Sequence, residues 1–120
     1  MNVRSLDVPT LRAAWWTHRA LRRVRADLRA NGLRYAPAPV PPRLPTDARR
    51  GVLAVLRREA STCLERALVL QRWHQAHGNA RDVIIAVKGP QVDFAAHAWL
   101  DGEPDGDVSR FAELMRLPPR

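Results

Sequence analysis

A single cysteine, Cys63, occurs in the 120 residues. No internal disulfide is therefore open to the chain, and no cysteine cluster is available for a structural metal. Lysine is nearly missing as well: Lys88 stands alone among 20 basic residues, the rest being arginine. We attribute that bias to coding composition and draw no chemistry from it. No run approaches the roughly 20 apolar residues of a membrane span. The N-terminus also lacks a charged stretch leading into an apolar run and a small-residue cleavage site. The expectation from these absences is a cytoplasmic protein without a membrane span.

What is present points to one folded domain. Hydrophobic residues make up 46% of the chain, enough for a core at a length typical of a single domain. The formal charge of +8 attracts acidic partners without choosing among them. We read residues 1–34 as an amphipathic helical segment, 36–45 as a connector and 46–120 as the catalytic core of one domain. From Leu11, the positions Ala14, Trp15, Leu21, Val24 and Leu28 recur at helical spacing, with His18 in the same stripe, and the helix ends near Asn31 and Gly32. That pattern predicts Trp15 in the core. Pro37, Pro39, Pro41, Pro42 and Pro45 then stiffen the connector.

Thr46 or Asp47 is placed to cap a second helix ending near Glu59, weakened by Gly51. A third helix begins at Thr62 and runs to His77, with Gly78 suited to the left-handed position beyond it. After Gly78 the pattern turns β-branched: Asp82 to Val87 and Phe94 to Leu100 read as antiparallel strands around a Gly89, Pro90 turn. A short extended segment follows the turn at Asp101 and Gly102, and Arg110 to Leu117 reads as a brief closing helix. The expected class is α+β, helices first and a small antiparallel sheet after them.

Chemistry concentrates at Cys63. Thr62 followed three residues later by Glu65 is a capping box, which places Cys63 in the first helical position. Free backbone N–H groups and the positive end of the helix dipole favour a thiolate there. Alone, this pattern also suits a small buried residue beside a cap. His97 supplies the missing base. Alternation along its strand sets His97 and Trp99 on one face and Phe94, Ala96, Ala98 and Leu100 on the other. A cysteine at a helix start followed by a histidine in a downstream strand is the nucleophile and base arrangement of several cysteine hydrolases.

His74 and His77, three apart on the third helix, are better read as a helix end than as metal ligands, since no third ligand is evident. Trp15 and Trp16 among arginines do not repeat into a nucleic-acid-binding pattern.

The strings Cys63-Leu64-Glu65-Arg66-Ala67-Leu68-Val69-Leu70-Gln71, Val83-Ile84-Ile85-Ala86-Val87 and Ala96-His97-Ala98-Trp99-Leu100 resemble the stand-alone leader peptidases of lasso-peptide gene clusters, a transglutaminase-like cysteine protease family. The resemblance covers nearly the whole chain, including the Trp15, Trp16 helix and the Arg-Leu-Pro-Pro-Arg ending. It implies a transglutaminase-like, papain-like core and a Cys, His, Asp triad whose Asp lies about a dozen residues beyond the His. It further implies a ribosomally made precursor as substrate, a separate leader-recognition protein and a downstream lasso cyclase as partners, and cleavage without metal or other cofactor.

At the third triad position the sequence departs from the family, its hairpin being about two residues shorter. Asp101 lies about 13 Å along the same strand from His97, beyond reach. A three-residue loop pairing Leu100 with Pro104 would bring Asp107 opposite His97 and leave Asp105 facing Trp99, so Asp107 is preferred and Asp105 is the alternative. The backbone N–H of Cys63 is the expected oxyanion donor. An acyltransferase using the same residues, or a non-catalytic basic binding module, are the other classes open to the sequence.

Overall fold

In the computed structural model, residues 7–88, 95–104 and 106–120 are described. The order is three helices, α1 (Val8–Asn31), α2 (Arg49–Arg58) and α3 (Cys63–Ala76), then three strands, β1 (Val83–Lys88), β2 (Ala95–Leu100) and β3 (Ala112–Leu117). The class is α+β. The expected turn at Gly89 and Pro90, and Phe94, lie outside the described residues.

Local sequence explains most helix ends. Asp7 caps α1 by accepting from the Thr10 amide at 2.9 Å. Gly78 takes φ 77° just after α3, a conformation that costs glycine least. At α2 the expected side-chain cap is not used: a 3₁₀ turn, Thr46–Ala48, leads in, and Ala48 occupies the cap position without a side-chain bond. Burial of Ala48 against the core fixes that entry instead.

The core joins α1, α2, α3 and the inner face of the sheet through Leu21, Val52, Leu56, Val69, Trp73, Val83 and Leu100. The predicted face of α1 is corrected here. Trp16 is 6% exposed and Trp15 63%, the reverse of the expectation. The buried face centres on Thr10, Ala13, Trp16, Thr17, Ala20, Leu21 and Val24. Small residues dominate it because α2 comes very close: a Cβ on Gly51 would lie 2.3 Å from the Thr10 carbonyl oxygen. The glycine read from sequence as a weakness of α2 is what lets the two helices touch. Thr17 tolerates burial by donating its hydroxyl to the Ala13 carbonyl at 2.8 Å.

The sheet is antiparallel with the order β2-β1-β3. Gln71 of α3 holds it from the helical side, donating to the carbonyls of Arg81 at 2.8 Å and Leu117 at 2.9 Å. The second correction is β3, expected as a helix. Its residues favour helices individually, and Glu113 and Arg116 stand at helical spacing, but pairing with β1 overrides that preference. The ladder steps from Ile85↔Met115 to Ala86↔Glu113, leaving Leu114 as the extra residue of a bulge.

The connector packs on the helices rather than hanging free. Trp16 Nε1 donates to the Pro39 carbonyl at 3.1 Å, and Arg120 donates to the Tyr35 and Leu33 carbonyls at 2.6 and 3.1 Å while lying over the Tyr35 ring.

Candidate active site

Cys63 is the first residue of α3, and the capping box expected around it is complete. Thr62 Oγ1 accepts from the Glu65 amide at 3.2 Å, and Glu65 Oε1 accepts from the Thr62 amide at 2.9 Å. Two of the orphan amides of the helix start are thereby satisfied. Arg25 of α1 reinforces the arrangement, donating to Glu65 Oε1 at 3.1 Å and to the Glu59 carbonyl at 2.7 Å. Cys63 is half-buried and lines a shallow depression with Arg66 and Ala67 of its own helix and Ala98, Trp99 and Leu100 of β2. The start of α3 therefore meets the strand that carries the histidine.

His97 pairs with Ala86 in the β1–β2 ladder. Ala98 and Leu100 point into the core, so alternation sends His97 and Trp99 to the outer face, as the sequence pattern predicts. There the imidazole lies 5.7 Å from the Trp99 ring and 5.6 Å from Phe111, with Lys88 Nζ 5.4 Å above the Phe111 ring. Among the described residues no hydrogen bond joins Cys63 to His97. The thiol borders Ala98, Trp99 and Leu100, the three residues that follow the histidine, and the ring itself sits in an aromatic stack. The thiol and the imidazole are therefore not brought together in this structure.

The hairpin that led to Asp107 is not formed. β2 pairs with β1, β3 lies on the far edge of β1, and beyond Leu100 a single bridge to Glu103 closes a tight turn through Asp101 and Gly102. Leu100 thus partners Glu103, not Pro104, and no strand brings Asp107 opposite His97. Two causes end the pairing. Pro104 has no amide to continue a ladder, and Glu103 is drawn to the helical layer by Arg49, by Arg81 at 3.3 Å and by His74 at 2.9 Å. Asp107 instead accepts from the Ser109 amide at 2.9 Å. That bond, the Ser109 hydroxyl and the charge of Lys88 hold its carboxyl below the usual carboxylate range. Asp105 lies outside the described residues. Asp101 accepts from Arg116 at 3.1 Å.

Sequence reading missed Glu103. Half-buried, it collects two arginines and a histidine and also borders the Cys63 depression. Its only sequence signal was an acid after a turn glycine. His74, noted for its spacing from His77, turns to Glu103, with Nε2 close to the carboxylate but not aligned for a hydrogen bond. Burial depresses its pKa, and the Glu103 charge opposes that shift. His77 points elsewhere, its two nitrogens 2.8 Å from the Trp73 carbonyl and 3.0 Å from the Leu44 carbonyl. The two histidines therefore do not converge. Among the described residues no group of three or more His, Cys, Asp or Glu is placed to hold a metal.

The family model of the transglutaminase-like superfamily matches residues 5–116. The chain belongs to the transglutaminase-like superfamily. That superfamily includes cysteine peptidases and acyltransferases, so its membership supports a cysteine-dependent enzyme. No curated protein and no solved structure matches this transglutaminase-like chain. Among the described residues, none of its helices is long and apolar enough to cross a membrane.

Proposed function

We propose that this transglutaminase-like chain is a cysteine peptidase that removes the leader from a ribosomally made lasso-peptide precursor. The observation that carries the reading is the Cys63 thiol at a fully capped helix start, set against the strand that bears His97. Cys63 attacks the carbonyl at the leader and core junction after His97 takes the thiol proton. The imidazolium then protonates the departing amine, and water hydrolyses the thioester to regenerate the thiol. The Cys63 amide, free of an intrahelical partner at the first helical position, stabilises the oxyanion.

Asp107 orients the imidazole in this proposal. The segment that carries it ends at Phe111, which packs on His97, and the charge of Lys88 reaches both Phe111 and the Asp107 carboxylate. The leader is presented by a separate recognition protein, and a cyclase takes the released core. The sequence resemblance supports this assignment of partners.

Mass spectrometry of a precursor peptide incubated with the chain and the recognition protein tests the proposal. Wild type should give leader and core fragments and Cys63→Ala none, with the same thermal melting curve because only a sulfur is lost. Cleavage by Cys63→Ala at the wild-type rate would sink the mechanism. An amine adduct in place of fragments would reassign the enzyme to acyl transfer.

A further inference from the structure

Between α1 and the proline-rich connector runs a groove of about 610 Å³. Leu11, Trp15 and Trp16 form one side, and Pro39, Val40 and Pro42 the other. Exposed apolar residues are ordinary one at a time, but Leu11, Trp15 and Val40 stay exposed while meeting in one concavity. The groove is also stiff. Trp16 is the buried floor and ties the two walls together through its bond to the Pro39 carbonyl. The Trp15 ring stacks on His18 at 5.8 Å, and His18 is in turn fixed by Glu59 at 2.8 Å. An indole held in place before binding loses little freedom when something docks on it.

Charge selects the occupant. Arg12 and Arg19 line the groove, are exposed, and have no hydrogen-bonding or ion-pair partner among the described residues. Among the described residues no carboxylate lines it. A second copy of the chain docking by this face would bring like-charged arginines together, whereas an acidic segment neutralises them. Seven residues of helix separate the two, about 10 Å at 1.5 Å per residue, which three residues of extended chain span.

We propose that this groove binds a partner peptide segment with two carboxylates three residues apart and a bulky apolar anchor between them. The anchor sits over Trp16 between Trp15 and the connector prolines, and the carboxylates reach Arg12 and Arg19. The groove contains neither Cys63 nor His97, so docking there is independent of the proposed peptidase chemistry and is unchanged in Cys63→Ala.

The probe is fluorescein-labelled Gly-Asp-Leu-Phe-Asp-Gly, titrated by fluorescence polarisation, with indole N–H signals of labelled protein followed by NMR. Saturable binding should appear, with shifts at the Trp15 and Trp16 indoles and not at Trp99. Trp15→Ser and the double variant Arg12→Glu, Arg19→Glu should each weaken binding at least about tenfold, a loss of about 1.4 kcal/mol, and the probe with both Asp replaced by Lys should not bind. Circular dichroism checks folding, and the arginine variant, altered only at exposed positions, carries the test if Trp15→Ser is unstable. Any of four results overturns the proposal: no binding up to about 1 mM probe, equal affinity in the variants, a dimer of the free chain that Trp15→Ser dissociates, or binding to phosphatidylglycerol vesicles without binding to the peptide.

Discussion

Leu21, Val52, Leu56, Val69 and Trp73 of the helical layer are sealed from solvent, whereas β3 buries only Leu117 and leaves its preceding residues open. The helices are held by apolar burial and close approach. β3 is held by backbone pairing with β1, by Gln71 bonding to the Leu117 carbonyl and by surface ion pairs around Arg116. Stability and proposed chemistry are thus divided: Cys63, the proposed nucleophile, stands at the edge of the helical layer, and its proposed base and orienting carboxylate lie on the outer face of the sheet and in the loop before β3. If that division holds, substitutions in the helical layer should change folding free energy, and those on the outer sheet face should change turnover.

Trp73→Ala should break the comparison most visibly. Trp73 is fully buried against Trp16 and His77, and its loss should cost about 3–5 kcal/mol in chemical denaturation. A cost near 1 kcal/mol would show that the helical layer is not the main source of stability. Gly51→Ala should follow, at about 1–3 kcal/mol, because the added methyl meets the Thr10 carbonyl and α1 must move away. Stabilisation by this change would mean that the two helices separate without penalty.

Asp107→Asn sharpens the other side. It should slow precursor cleavage at least about tenfold, with little shift in melting temperature. Asp101→Asn should be mild, since that carboxylate serves Arg116. Equal rates for Asp107→Asn and wild type would remove Asp107 from the mechanism and leave Cys63 and His97 untouched. The smallest effect belongs to Arg116→Ala. Its contacts to Glu113, Asp101 and Asp82 are exposed, and such pairs are screened by solvent and add little to stability. A larger loss by denaturation would give the surface network a greater share in holding β3 than its exposure suggests.

Much of this fold was legible where local signals agree. The Thr62 and Glu65 spacing marked the start of α3, Gly78 its end, the β-branched run from Val83 β1, and the alternation around His97 β2. The errors fell where partners distant in sequence decide. Trp15 and Trp16 are adjacent, and only the packing of α1 on its neighbours, with Gly51 of α2 against Thr10 and Trp73 of α3 against Trp16, determines which indole turns inward. β3 has the composition of a helix and is a strand because β1 offers an unpaired edge. The position of Asp107 was counted from a turn, and the count failed because Glu103 bonds to residues of three different segments. Cys63 and His97 were proposed from local pattern and resemblance, and what local pattern lacked was Phe111, which packs on the imidazole.

The cap of α3 has a bearing on how the molecule assembles. One oxygen of Glu65 accepts both from Thr62 in its own turn and from Arg25 of α1, forty residues away in sequence. The first contact can form as soon as that turn exists. The second requires the intervening chain to close a long loop, at an entropic cost that grows only slowly with its length. The setting of the thiol is therefore complete only once α1 has docked, and a chain with α3 formed but α1 unattached would carry Cys63 without its finished surroundings.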